Sequence, residues 1–185
     1  MPTGCSLITG MLSYTFLRKR QGPITSSKSS GSTRREYPPM AKIKIIWVGK
    51  TKERYLAEGI NHYLKLLTPM AQVSVVEIRE EKGKQKEAAM VAEAGKIFRQ
   101  TRDYFLLDEK GDEFTSVALA GFLKNIDSVD FVIGGPFGVA AEVKDKAKGS
   151  MALSKMTLTH EMARLLFLEQ LYRAFAILKG KEYHH

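Results

Sequence analysis

The chain has 185 residues and a single cysteine, Cys5. No disulfide can form within it, which removes the small secreted scaffolds that depend on them. Its four histidines do not pair with cysteines at metal-ligand spacing, so no zinc or other metal site is expected. No apolar run reaches the roughly 20 residues that a membrane-spanning helix takes. The nearest, residues 5–17, is too short, and its basic residues follow it where a secretory signal would place them first. A Walker A loop and the G-x-G-x-x-G dinucleotide fingerprint are also missing. What remains is an ordinary globular composition, 44% hydrophobic and 26% charged, with no membrane partner expected.

The net charge of +9 is unevenly spread. Residues 1–39 hold six basic residues and one acid, which leaves +4 for the remainder. That segment joins an apolar stretch, a basic cluster and a Ser/Thr/Gly-rich tract ending at Tyr37-Pro38-Pro39. It reads as a disordered extension upstream of a start at Met40, giving a cytoplasmic protein. The alternative is an organelle transit peptide, because it is rich in hydroxyls and bases and poor in acids. The expected domain is residues 40–185.

From Met40 the pattern is regular. Strands are expected at residues 42–48, 73–78, 104–107 and 129–133, with a fifth strand or extended loop at 151–158. Helices are expected at residues 55–67, 87–98, 115–124, 141–148 and 160–178, with a charged solvated loop at 79–86 and a turn at 108–112. Strands alternating with helices predict an α/β fold whose sheet is mostly parallel and covered on both faces. Ligands of such sheets bind beyond the carboxyl ends of the strands. Attention therefore falls on the segments after Leu107, after Ile133 and around Leu153 to Leu158.

Three glycines in five residues follow the fourth strand, at Gly134, Gly135 and Gly138. Such a loop lets backbone approach a ligand with no Cβ in the way, or it is simply a tight turn. The segment Leu153, Ser154, Lys155, Met156, Thr157 and Leu158 offers main-chain groups and apolar side chains to an adenine ring; otherwise it is a buried strand leading into a capped helix. The last helix is apolar all round, which predicts burial against a second subunit. His160 and Arg164 share a face of it, with Arg173 nearly opposite. The terminal Tyr183-His184-His185 reads on its own as a frayed end.

Trp47-Val-Gly-Lys50, Val132-Ile-Gly-Gly135, Leu153-Ser-Lys-Met-Thr-Leu158, Glu169-Gln-Leu-Tyr-Arg-Ala-Phe175 and Tyr183-His184 together resemble the RlmH family, in the SPOUT class of RNA methyltransferases. The similarity runs from Met40 to His185. It implies an α/β trefoil knot, a homodimer and S-adenosyl-L-methionine as methyl donor. It also implies transfer to N3 of a pseudouridine in large-subunit ribosomal RNA, on the assembled ribosome. By the same resemblance the cofactor is held by Leu107, Gly134 and residues 153–158. His184 as base, Tyr183 on the target base, and Arg164 or Arg173 as charge stabiliser are the expected catalytic groups. The chain departs from the family at Thr159, often proline, and at His185, often arginine or lysine. The rival readings are a SPOUT enzyme acting on tRNA, and a non-catalytic RNA-binding or ribosome-assembly factor of the same fold.

Overall fold

The computed structural model describes residues 40–181; residues 1–39 and 182–185, and the expectations placed on them, lie outside the described part. Five strands, β1 (Lys42–Val48), β2 (Gln72–Ile78), β3 (Tyr104–Glu113), β4 (Ser128–Ile133) and β5 (Gly149–Ala152), alternate with helices. These are α1 (Arg54–Leu67), α2 (Lys86–Gln100), α3 (Ser116–Leu123), α4 (Ala141–Asp145) and α5 (His160–Leu178). The strands form one sheet in the order β2-β1-β4-β3-β5, and every pairing is parallel.

The topology assigns each helix to a face. Right-handed crossovers require that connections stepping one way across the sheet lie on one side, and those stepping back lie on the other. The links β1 to β2 and β3 to β4 step towards the β2 edge. Those from β2 to β3 and from β4 to β5 step towards the β5 edge. Accordingly α1 and α3 share a core with α5, against Ile43, Ile45, Trp47, Phe131 and Ile133. Helices α2 and α4 cover the opposite face, against Ile46, Val48, Leu106 and Val132. Alternation along β1 thus divides its side chains between two cores, which is why the strand reads as a continuous apolar run.

The expected elements are present, with four differences. The turn expected at 108–112 is an interruption within β3. Leu107 and Asp112 both align with Met151, and the four residues between them loop out of register. A single strand resumes because the segment has β5 to pair with on either side of the excursion. Helix α4 stops at Asp145, and β5 stops at Ala152, leaving 153–159 as irregular chain. The loop at 79–85 is tied down on its inner side: Lys96 pairs with Glu81 and donates 2.8 Å to the Arg79 carbonyl, and the Glu81 amide donates 2.9 Å to the buried Glu93 carboxylate.

Candidate active site

An all-parallel sheet places the carboxyl end of every strand on one edge. β4, β3 and β5 are neighbours, so the three expected cofactor segments are brought side by side. Leu107 aligns with Ile133, which precedes Gly134, and with Met151, two residues before Leu153. The β3 excursion reaches across to the third segment: Thr157 Oγ1 donates 3.0 Å to Glu109 Oε2, and Lys155 lies 3.7 Å from Glu113. Within that segment the Met156 amide donates to Ser154 Oγ. Lys155, Thr157 and Leu158 make no main-chain hydrogen bond to other backbone among the described residues. Met156 is 76% exposed. Uncommitted donors and acceptors between Leu153 and Leu158, next to a glycine that opens the end of β4, fit an adenosyl group.

Gly134 has a second constraint. A Cβ there would stand 2.9 Å from the Gly138 carbonyl, because Gly135 and Gly138 close a tight turn back onto it. A side chain at Gly134 would therefore disturb this turn whether or not a cofactor is bound. Substitution at 134 therefore cannot separate cofactor approach from turn geometry.

The loop 153–159 runs directly into α5. Thr159 caps it, its hydroxyl accepting from the Met162 amide at 3.2 Å. The threonine thus serves as the helix N-cap. The next turns of α5 carry a buried polar cluster. Arg164 is fully buried and donates to the Val48 carbonyl at 2.6 Å and to Thr51 Oγ1 at 2.9 Å, its guanidinium lying over the Trp47 ring. The Arg164 Nε and the Trp47 indole nitrogen have no partner among the described residues. Glu161 Oε2 accepts from the Lys52 and Glu53 amides at 2.9 and 3.2 Å. Those amides open α1, which has no cap of its own, so α5 caps α1. Burial pushes the Glu161 carboxyl up, but the two amides, with His160 and Arg164 nearby, hold it below the usual carboxylate value. His160 is shifted down, by burial first and by the Arg164 charge second. Burial also lowers Arg164.

Arg173 stands on the other side of α5, as the helical spacing predicts. Its Nε and Nη2 both donate to Glu169 Oε1, at 3.0 and 2.6 Å. The structure thus gathers Leu107, Gly134 and residues 153–158, sets Arg164 inside the protein beneath the β1–α1 loop, and puts Arg173 elsewhere. Tyr183 and His184 lie outside the described residues. Sequence reasoning missed Glu109 and Glu161. An acid in the first turn of α5 reads as a dipole partner of its own helix, and nothing local shows that it caps another.

Among the described residues no group of three His, Cys, Asp or Glu side chains could hold a metal ion, and no helix is long and apolar enough to cross a membrane. A parallel α/β sheet with a glycine turn and an irregular loop at its carboxyl edge has the layout of a ligand site. Residues 41–184 match the family model described as "Predicted SPOUT methyltransferase", and the chain belongs to the SPOUT methyltransferase family. It is 43% identical over 147 residues to the Ribosomal RNA large subunit methyltransferase H of Thermodesulfovibrio yellowstonii, covering 79% of this chain and 100% of that protein. It is also similar to the proteins of that name from Geobacter metallireducens, 40% identical over 152 residues, and Maridesulfovibrio salexigens, 41% over 155. Those alignments cover 78% and 79% of this chain and 99% of each relative.

Proposed function

We propose that this protein transfers a methyl group from S-adenosyl-L-methionine to N3 of a pseudouridine in large-subunit ribosomal RNA, on the assembled ribosome, in the cytoplasm. The observation that carries the reading is the meeting of Leu107, at the break in β3, with Gly134 and residues 153–158 beyond the ends of β4 and β5. Leu153, Ser154, Lys155, Met156, Thr157 and Leu158 would hold the adenosyl part, through main-chain groups and the Leu and Met side chains. The trefoil knot of the family belongs to the same reading.

The bound cofactor would supply an electrophilic sulfonium methyl, so no metal is required. The protein's own tasks are alignment and the imide proton. An imide N3–H is a weak acid near neutrality, so the nitrogen needs a base or a positive neighbour. His184 is assigned the proton, since an unperturbed imidazole with a pKa of about 6.5 is mostly neutral above pH 7. Tyr183 is assigned to stacking on the target base, worth ~1–3 kcal/mol. Arg173, less deeply buried than Arg164, is the better-placed charge stabiliser. Arg164 is read as a positioning residue, because its guanidinium is fully buried and holds Val48 and Thr51.

A homodimer completes the site in this reading. Met162, Leu165, Leu166, Tyr172 and Ile177 are only half-buried within one chain. A second copy packed there would cover them and bring a partner's tail to the cofactor pocket. The test is calorimetry with S-adenosyl-L-methionine, followed by methyl transfer to free rRNA, large subunits, whole ribosomes and tRNA. Cofactor binding with transfer to ribosomes is expected. Transfer to tRNA alone, or no cofactor binding, overturns the reading.

A further inference from the structure

The strand ends of β3, β4 and β5 carry the cofactor segments, but the same edge also carries the loops after β1 and β2. We propose that these two loops, residues 49–53 and 79–85, with Lys86 at the start of α2, form a docking rim for the RNA phosphate backbone. The proposal rests on the reading of the protein as an RNA methyltransferase and adds where the substrate sits.

The loops are neighbours. Val48 aligns with Ile78, and the Gly49 amide donates 2.7 Å to the Ile78 carbonyl. Of the loops' own acids, Glu81 pairs with Lys96 and Lys84, which lower its carboxyl to about 2, while Glu53 is exposed and Glu80 is half-buried beside Gly49. The acids of the helices beneath are engaged: the buried Glu93 accepts from a loop amide, and Glu161 accepts from two. Glu87, at the start of α2, is exposed. The bases are more numerous and stand further out. Lys50, Lys52, Arg79, Lys82 and Lys86 are exposed, and their side chains have no carboxylate partner among the described residues. The lysines of the first loop stand on a fixed base, because Arg164 holds Val48 and Thr51 while Glu161 holds Lys52 and Glu53. Fixed backbone beneath flexible ammonium groups lowers the ordering cost of binding a polyanion. RNA lying along this rim would reach the cofactor segments without crossing the sheet.

The test uses the full chain and a short fluorescent RNA stem–loop, titrated across a range of potassium chloride. One variant combines Lys50→Gln, Lys52→Gln, Lys82→Gln and Lys86→Gln. A second, of equal charge change, combines Lys42→Gln, Lys65→Gln, Arg102→Gln and Lys124→Gln, which lie towards the amino ends of the strands. Removing one cation that neutralises a phosphate reduces the slope of log affinity against log salt by roughly 0.7 to 0.9. The rim variant is expected to lose at least about tenfold in RNA affinity and up to about three to three and a half units of that slope. The opposite-edge variant should bind like the wild type, and both should keep wild-type affinity for S-adenosyl-L-methionine. Equal losses in the two variants, or none in the rim variant, overturn the docking rim and leave the methyl-transfer reading standing. A wild-type protein that binds neither cofactor nor RNA overturns both.

Discussion

Arg164 anchors the end of β1 from inside the protein. Its two Nη groups satisfy a main-chain carbonyl and a threonine hydroxyl at the end of β1, in a site with no exposure. Arg164→Ala leaves those acceptors unpaired beside a cavity. Each charged hydrogen bond is worth about 1.5–3 kcal/mol, so a loss of at least about 3 kcal/mol is expected in chemical denaturation. Arg164→Lys keeps the charge but cannot form the two-pronged contact and should recover only part of the stability. A wild-type denaturation midpoint in Arg164→Ala would contradict this role. His160, next to it, gives a pH signature. Its pKa is lowered in the fold, so the unfolded chain takes up the proton first. Stability from this group is present above the unfolded value of about 6.5 and is lost as pH falls towards the lower folded value. The melting temperature should drop below pH 6.5, and His160→Asn should drop less over the same interval. Identical profiles would remove His160 from the effect.

At the scale of elements, the β3 excursion and β5 make the closest backbone approach of the site. A Cβ on Gly111 would lie 2.6 Å from both the Met151 nitrogen and the Ser150 carbonyl carbon. These are main-chain atoms of a paired strand and cannot rotate away. Gly111→Ala should therefore cost about 1–3 kcal/mol, the range for overpacked sites. Scanning calorimetry would read this as a fall of about 2–4 °C per kcal/mol. It should also weaken cofactor binding, since the excursion holds Thr157 through Glu109. Gly59 on α1 is a useful contrast. Its added Cβ would meet only the tip of the Leu165 side chain, at 2.9 Å, which can move. Gly59→Ala should be well tolerated, and a loss as large as that of Gly111→Ala would mean that α1 and α5 cannot separate even slightly.

At the scale of the whole molecule, the assembly and the tail carry the predictions. Light scattering should give a dimer at micromolar concentration, and a stable, active monomer would refute the composite site. A chain ending at Glu182 should dimerise, melt normally and bind S-adenosyl-L-methionine. It should lose methyl transfer to ribosomes by about a hundredfold, the scale of losing an acid–base group. Near-wild-type turnover would remove Tyr183 and His184 from the mechanism.

Local order was written in the sequence. The apolar run of β1, the periodicity of α1 and the turn glycines after β4 are one-dimensional patterns, and their order implies a parallel sheet with a ligand edge. The segments proposed to hold the cofactor could be singled out because strand ends and glycines are local signals, and the family resemblance gave them that role. The β3 excursion was not legible, because its residues form a strand only by pairing with β5, far along the chain. Nor was the role of Glu161 or Arg164. A charge on an apolar helix signals that a partner is needed, but only packing decides which. Here the carboxylate caps α1 and the guanidinium closes the end of β1, since burial leaves no water to satisfy either.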